Sequence, residues 1–232
     1  MPLRSAPLPR MAGHLSFMRA QTKAISDVRP GDLAVLGVPF EDTSAPYAGQ
    51  SLAPRALRET SVYFGWHANP QFSHPVDIDA RQDISTDGLH ERLCDLGDFS
   101  MGSEDAVHAT LRAVVTQINK IGACAVILGG SDHLSEKVQG ALPMCQTAQL
   151  GGKPRDASGF HIAPVSESTT LTKTSNSARQ LTELTEWRNT SRPLFVRFDL
   201  SVFETSLSAL CDQPLLGGYD LDTVSHWLSA LG

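Results

Sequence analysis

Short apolar runs alternate along the chain with longer segments whose apolar residues recur at helical spacing. Residues 33–38, 123–128 and 194–200 are largely apolar, and each run lies beside Gly, Pro or Asp. Continuous apolar runs of this length are typical of strands buried in a parallel sheet. A shorter run at residues 93–96 precedes Gly97 and predicts another strand. These runs therefore predict a buried parallel sheet, with residues 123–128 in a central strand.

The segments between these runs carry helix start and stop signals. Val107, Leu111, Val114, Val115, Ile118 and Ile121 predict a helix from Glu104 to about residue 121, with Ser103 as N-cap and Gly122 as its stop. Pro54 suits the first turn of a helix to about residue 63, because its missing N–H would be unpaired there. Other predicted elements are a helix after His133 that ends at 142, helices at 177–188 and from Asp220 or Asp222 to 231, a strand at 159–165, and loops at 65–92 and 205–218.

The alternation of strands and helices indicates an α/β fold with a parallel sheet and helical crossovers. The chain shows no internal repeat and no linker, so residues 1–232 are predicted to form one domain. Within it, the Pro-rich residues 1–30 are expected to form an extended arm. Arg55 and Arg58 stand three apart on the first helix, which predicts a solvated face or a contact with a neighbouring subunit.

Composition narrows the range of partners and compartments. A formal net charge of −6 without a basic stripe argues against nucleic-acid binding. No apolar stretch has the length needed to cross a bilayer, and residues 1–10 lack the apolar core of a secretion signal. The four cysteines form no zinc or disulfide pattern, and Cys94 and Cys124 lie in apolar runs that predict buried thiols. A reducing cytoplasm is therefore the expected location.

Three potential metal ligands lie near the ends of predicted strands. His133, Glu167 and Asp199 fall close to carboxyl ends, where open α/β sheets place their ligands. Two carboxylates and one imidazole would suit manganese or zinc. For each residue alone, a structural role is the alternative. His133 would then cap a turn, Asp199 would cap a helix or pair with a cation, and Glu167 would be solvated.

Short motifs in a fixed order run along nearly the whole chain. They are His14-Leu-Ser-Phe-Met-Arg19, Leu36-Gly-Val-Pro-Phe-Glu41, Gly49 with Ala53-Pro-Arg-Ala-Leu-Arg58, Asp95-Leu-Gly-Asp98, Leu128-Gly-Gly-Ser-Asp-His133, Val196-Arg-Phe-Asp-Leu-Ser201 and Gln213-Pro-Leu-Leu-Gly-Gly218. Together they resemble the arginase/agmatinase ureohydrolases, closest to the agmatinase branch. The resemblance implies an α/β fold of the arginase/deacetylase-like kind, a three-layer α/β/α sandwich with a parallel sheet, here shortened.

The resemblance also implies a chemistry and a ligand set. Members of the family hydrolyse guanidino compounds to urea and an amine, using a hydroxide shared by two manganese ions. Six side chains hold these ions. Of the six positions, His133, Glu167 and Asp199 keep groups that bind metal, whereas Ala163, Val165 and Ser201 occupy the other three. At most one weakly bound manganese ion, or none, is therefore expected.

Two further departures from the family affect the substrate side. The segment between Glu167 and Asp199 is short, and the chain ends at Gly232 before a further strand and helix of the family. We therefore expect a protein with lost or much reduced catalysis. It would act as a non-catalytic subunit, assembled either with copies of itself or with an active paralogue. Nucleic-acid and membrane partners are not expected. The alternative is a single-metal hydrolase of a guanidino or amidine compound using His133, Glu167 and Asp199. A truncated product that folds poorly is a third possibility.

Overall fold

The chain divides into two compact units. The structure, a computed structural model, describes residues 13–41, 49–63, 76–77, 82–83, 89–99, 102–131, 133–142, 145–150, 168–171, 193–208 and 218–231. The first unit comprises Met1–Ser44 and Ala48–Leu134, and the second comprises Ala45–Tyr47 and Ser135–Gly232. A single domain over the whole chain stays a prediction.

The first unit is built on a parallel sheet. Its strands are β1 (Gln21–Thr22), β2 (Leu33–Gly37), β5 (Leu93–Asp98) and β6 (Cys124–Leu128), and a separate antiparallel pair consists of β3 (Val76–Asp77) and β4 (Gln82–Asp83). The parallel strands are arranged in the order β1-β5-β2-β6. The predicted strands at 33–38, 93–96 and 123–128 are confirmed, whereas β1 was not predicted.

The position of β6 differs from the prediction of a central strand. Among the described strands, β6 pairs with β2 alone and lies at the end of its sheet. Its first residue, Cys124, is exposed, whereas Cys94 in the interior strand β5 is buried. The prediction of a buried thiol is therefore correct for Cys94 and wrong for Cys124, because an apolar run does not tell an edge strand from an interior one.

The described α-helices that lie wholly within this unit are α1 (Ala53–Ser61), α2 (Leu89–Arg92) and α3 (Glu104–Ile121). The predicted ends of α3 are confirmed, since the Ser103 hydroxyl accepts a hydrogen bond from the Ala106 amide and Gly122 has a φ of 83°. The helix packs against β6 and buries Val107, Leu111, Val115 and Ile118. Each such side chain contributes about 1.5–3 kcal/mol to stability. The predicted loop at 65–92 contains α2, β3 and β4.

The arm at the start of the described chain is fastened to this unit. It contains two short 3₁₀ helices, Phe17–Arg19 and Ile25–Asp27. Met18 and Arg19 adopt left-handed conformations with φ of 49° and 58°. The amide of Phe17 donates to Asp95 Oδ2 at 2.7 Å, and the amide of Met18 donates to Ser61 Oγ at 2.7 Å. These contacts stabilise a left-handed backbone conformation that residues other than glycine rarely adopt.

The second unit contains another parallel sheet. The helix α4 (His133–Ala141) leads into it, and its strands β7 (Gln146–Leu150), β8 (Ser168–Leu171) and β9 (Leu194–Phe198) are arranged in the order β8-β7-β9. Of these, β7 and β8 were not predicted. The strand predicted over 194–200 ends at Phe198, and a 3₁₀ helix over Leu200–Val202 follows it.

Two helices complete the described part of this unit: α5 (Thr205–Ser208) and α6 (Leu221–Leu231). The first lies in the predicted loop at 205–218. Asp220 caps the second, because its Oδ1 accepts the Thr223 amide at 2.7 Å. Val202, Val224 and Trp227 are buried, and the Trp227 ring lies 4.4 Å from that of Tyr219. The predicted strand at 159–165 and helix at 177–188 lie outside the described residues.

Across the described ranges, no helix combines the length and apolar character that crossing a membrane requires.

Candidate functional site

The loop after β6 delivers the first predicted ligand. β6 ends at Leu128, and Gly129, Gly130 and the buried Ser131 follow it. His133 is the first residue of α4, whereas the helix was predicted to begin after it, and Leu134 begins the buried face of that helix. The backbone therefore places His133 between a strand and a helix. Its imidazole lies outside the described part of the structure.

A backbone contact requires glycine at the second position of the Gly-Gly pair in this loop. A Cβ atom on Gly130 would clash with the carbonyl oxygen of Phe40 and lie 3.1 Å from its carbonyl carbon, whereas one on Gly129 would meet nothing within 4 Å. Phe40 lies in the segment that follows β2, and the Val38 amide in that segment donates to the Leu128 carbonyl at 2.9 Å. The loops after β2 and β6 are thus in direct backbone contact at the carboxyl edge of the first sheet.

A buried ion cluster lies at the same edge, and it corrects the interpretation of Arg58. The Arg58 side chain is only 4% exposed, and its guanidinium donates to both carboxylate oxygens of Asp95, at 2.8 and 2.9 Å. It also donates to Asp98 and, at 3.1 Å, to the Gly97 carbonyl. The prediction of a solvated or intersubunit role is therefore wrong for Arg58. Arg55, in contrast, is exposed and pairs with Glu59 at 2.8 Å.

Glycine and charge together shape this cluster. A Cβ atom on Gly37 would clash with Asp98 Oδ1 and lie 2.8 Å from Arg58 Nη1, so only glycine leaves room for the guanidinium. Burial alone would raise the pKa of Asp95, but the hydrogen bonds from Arg58 and from the Phe17 and Gly97 amides outweigh it and lower that pKa. The cluster thus locks α1 onto the end of β5.

Glu41 organises the entry into α1. Its Oε1 accepts the Gly49 amide at 2.5 Å, and its Oε2 accepts the amide and hydroxyl of Ser51 at 3.0 and 2.5 Å. The Ser51 hydrogen bonds are the main cause of the lowered pKa of Glu41. A carboxylate at the start of a helix also interacts favourably with the helix dipole. Glu41 is therefore engaged in holding the chain together.

A buried imidazole, which the sequence did not indicate as special, contacts the segment after β2. His108 on α3 is 7% exposed, and its ring lies 5.9 Å from that of Phe40. Its Nε2 has no hydrogen-bond partner in the structure as described and lies 3.8 Å from Glu104 Oε1. The sequence did not predict a role for His108, because a single histidine among the apolar positions of α3 does not by itself indicate a functional site.

In the second unit, Asp199 and Ser201 occupy one short turn. Asp199 follows β9 directly, and its Oδ1 accepts the Ser201 amide at 2.8 Å, which caps the 3₁₀ helix over Leu200–Val202. Ser201 is 4% exposed, so its position carries a buried hydroxyl and no carboxylate. The structural alternative considered for Asp199, a helix cap, is thus observed.

Arg197 belongs to β9 and precedes Asp199 by two residues along the chain. It is partly buried, while its neighbours Val196 and Phe198 are exposed. Burial lowers the pKa of the Arg197 guanidinium, and the Asp199 carboxylate acts in the opposite direction. A cation is therefore built into the strand beside the predicted ligand.

Glu167, Ala163 and Val165 lie outside the described residues. His133 belongs to the first unit and Asp199 to the second. Among the side chains that are described, no three His, Cys, Asp or Glu residues are grouped as a metal site would need. The metal role of His133, Glu167 and Asp199 stays a prediction.

Comparison with known proteins identifies a family-like segment. The sequence model of the arginase family matches residues 31–143. This segment includes both edge loops, the Arg58 cluster and His133.

Solved structures with a similar fold extend the likeness over most of the chain. Proclavaminate amidino hydrolase from Streptomyces clavuligerus is 17% identical with a TM-score of 0.71, over 96% of this chain and 86% of that one. Agmatine ureohydrolase of Thermoplasma volcanium is 16% identical with a TM-score of 0.71, over 96% and 84%. Trypanosoma cruzi formiminoglutamase with Mn²⁺ is 17% identical with a TM-score of 0.63, over 92% and 83%. These likenesses confirm the arginase-like α/β fold expected from the sequence.

Proposed function

We propose that this chain, in which residues 31–143 match the sequence model of the arginase family, is an agmatinase-like ureohydrolase homologue in which catalysis is lost or much reduced. In this proposal it acts in the cytoplasm as a non-catalytic subunit, assembled with itself or with an active paralogue. It has no nucleic-acid or membrane partner. The reaction that it no longer performs efficiently is the manganese-dependent hydrolysis of a guanidino compound to urea and an amine.

One observation carries this proposal: the turn after β9 has the wrong donors for a pair of manganese ions. Manganese prefers anionic oxygen ligands. Ser201 contributes a buried hydroxyl where the family resemblance implies a second carboxylate, and one oxygen of Asp199 is engaged by the Ser201 amide. The residues at this turn therefore do not fit a two-metal centre. Ala163 and Val165, which have no donor atoms in their side chains, support the same conclusion from the sequence.

A second candidate function has one specific observation in its favour. Asp199 Oδ1 accepts the Ser201 amide, whereas no hydrogen bond to Oδ2 occurs within the described chain. A carboxylate with one available oxygen can still bind a single cation. The alternative is accordingly a single-metal hydrolase of a guanidino or amidine compound that uses His133, Glu167 and Asp199.

Urea release and bound metal, measured on the same sample, test the proposal. The full chain is purified, incubated with manganese, desalted and analysed for metal content and for urea formed from agmatine. We expect substoichiometric manganese and no urea above the background without protein. Stoichiometric manganese together with urea release that Asp199→Ala abolishes would establish the single-metal enzyme instead. Ser201→Ala is the matched control, since it removes no carboxylate.

The subunit role has its own measurement. Light scattering on the purified chain gives its mass in solution, and co-expression with an active ureohydrolase gives any mixed assembly. We expect either a homo-oligomer or a complex with the active enzyme. A chain that stays monomeric alone and does not co-purify with an active homologue would contradict the subunit role.

A further inference from the structure

The imidazole of His108 is buried with one ring nitrogen left without a hydrogen-bond partner. The side chain is only 9% exposed, and its Nε2 is enclosed by protein atoms. In the part of the chain that the structure describes, no donor or acceptor lies within hydrogen-bond distance of this nitrogen. A buried polar atom without a partner is destabilising, and such an atom often marks a bound water or ion. His108 Nε2 therefore indicates a position at which a ligand can bind.

Glu104 supplies a carboxylate at the same position. It lies one turn before His108 on α3, and its Oε1 is 3.8 Å from His108 Nε2. This separation is too long for a hydrogen bond. It is close to the distance of about 3.3 Å between two donor atoms that share one zinc ion with bonds of about 2.0–2.1 Å. The Glu104 side chain is 62% exposed, so it can rotate to close the difference and an ion can approach it from solvent.

The charges around this pair favour a cation. The start of a helix is electropositive and by itself disfavours a cation. Glu104 and Asp105 both lie in the first turn of α3, and their carboxylates offset the helix dipole. The Phe40 ring, whose centroid is 5.9 Å from that of the imidazole, carries no charge. Arg112, the next basic residue along α3, is exposed and lines a surface groove nearer the end of the helix.

We propose that His108 Nε2 and the Glu104 carboxylate bind one divalent transition-metal ion of the zinc type at the first turn of α3. Side chains four residues apart share one face of a helix, so both can reach a single ion. A nitrogen and an oxygen ligand bind zinc more tightly than manganese. With two protein ligands, water fills the other positions, and the ion is exchangeable rather than a resident cofactor. The bound ion holds His108 against Phe40 and stabilises the contact between α3 and the segment after β2.

The principal test compares the zinc affinity of matched variants of the full chain. Zn²⁺ binding is measured by competition with a chromophoric chelator for the wild type, Glu104→Gln and Glu104→His. We expect Glu104→Gln to bind at least tenfold more weakly, because it lacks the anionic oxygen. Glu104→His should bind at least as tightly as the wild type, since it places a ligand at the same spacing. Equal affinity in the wild type and Glu104→Gln would overturn the inference.

The helix α6 offers a matched control. Asp222 and His226 have the order and spacing of Glu104 and His108, but both are exposed. Exposed side chains lose more rotamer freedom when they bind an ion than a buried imidazole does. We therefore expect His226→Gln to change zinc affinity less than twofold and His108→Gln to weaken it at least tenfold. A loss in His226→Gln as large as that in His108→Gln would overturn the inference.

Thermal denaturation keeps the inference testable if His108→Gln does not fold. Glu104 is largely exposed, so Glu104→Gln is expected to fold. An ion that binds only the folded chain raises the midpoint of unfolding. We expect Zn²⁺ to raise the midpoint of the wild type and of Glu104→His by more than that of Glu104→Gln. Equal shifts in all three chains would overturn the inference.

The zinc site and the proposed function fail in different ways. Asp199→Ala removes a predicted ligand of the remnant manganese site and should leave the zinc affinity of the Glu104 and His108 pair unchanged. If the wild type releases urea from agmatine, the proposed loss of catalysis is wrong and the zinc site is unaffected. If Glu104→Gln binds zinc like the wild type, only the zinc site is rejected.

Discussion

The Asp95 carboxylate gathers donors from separate parts of the first unit. It accepts hydrogen bonds from the amides of Phe17 and Gly97 and from two nitrogens of Arg58. Its side chain is 2% exposed, so a lost partner would leave a charge in a medium where it is poorly solvated. Burial alone would lower the pKa of Arg58, but its hydrogen bonds to Asp95 and Asp98 outweigh burial and raise that pKa.

Replacing Arg58 should therefore be strongly destabilising. We expect Arg58→Met to lower the free energy of unfolding by about 3–5 kcal/mol, because Asp95 would remain buried without its cation. Urea denaturation followed by circular dichroism measures this loss. The matched control is Arg55→Met on the same helix, whose side chain is 71% exposed and whose removal should leave the midpoint unchanged. Equal losses for the two variants would show that Arg58 has no special role.

The sequence predicts the helix that carries Arg58, but not the pairing of Arg58 with Asp95 and Asp98. Helical spacing places Arg58 one turn after Pro54 and nearly one turn before Ser61, and all three are buried. That spacing identifies one face of α1, yet arginine is so often exposed that burial was not inferred from it. Only the carboxylates of Asp95 and Asp98, which are distant in sequence, make burial possible. Pairing across 37 residues is a property of the fold and cannot be read from local pattern.

At the scale of elements, the two adjacent glycines in the loop after β6 differ in the space available for a side chain. We expect Gly130→Ala to destabilise the chain by about 1–3 kcal/mol or more, because its methyl group would overlap the Phe40 backbone. Gly129→Ala should be neutral or stabilising by up to about 1 kcal/mol, since space is available there and alanine restricts the unfolded chain.

Thermal denaturation of the two variants, side by side, measures this difference. Each change adds one methyl group to the same loop, so composition and helix propensity are matched. A Gly129→Ala chain that is as unstable as Gly130→Ala would contradict the assignment of the close contact to Gly130.

Elements were predictable where their residues carry a strong local signal. The helix α3 has apolar residues in register, a Ser103 cap and a Gly122 stop, and all three agree with the structure. The strands β7 and β8 read Gln-Thr-Ala-Gln-Leu and Ser-Thr-Thr-Leu, with neither an apolar run nor a clear alternation. Their extended form depends on pairing with each other and with β9, which no local pattern reports.

For the whole molecule, the lowered pKa values of Asp32, Glu41 and Asp95 predict sensitivity to acid. A carboxyl with a lower pKa when folded binds protons more readily when unfolded. Its contribution to stability is complete above its unfolded pKa and is lost as the pH falls through the folded value. For Asp32 and Asp95 the unfolded value is about 3.8, and for Glu41 about 4.5.

As far as Asp32, Glu41 and Asp95 are concerned, we expect the free energy of unfolding to be constant between pH 7 and about pH 5.5. Below about pH 4.5 it should decrease steeply as these carboxylates become protonated. Urea denaturation at pH 7, 5.5, 4.5 and 3.5 measures the profile. Asp95→Asn should start from lower stability and fall less between pH 4.5 and 3.5, since it lacks one of the groups that titrate. Parallel profiles for the wild type and Asp95→Asn would show that Asp95 does not contribute to the acid response.

The fastening of the arm also determines how the first unit can open. The amide of Phe17 donates to the carboxylate of Asp95 in the interior strand β5, and the amide of Met18 donates to the Ser61 hydroxyl of α1. Because both acceptors are buried, we expect these two amide hydrogens to exchange with solvent more slowly than those of an unattached arm. Hydrogen exchange at residues 17 and 18 would therefore report how firmly the arm is held to the sheet and to α1.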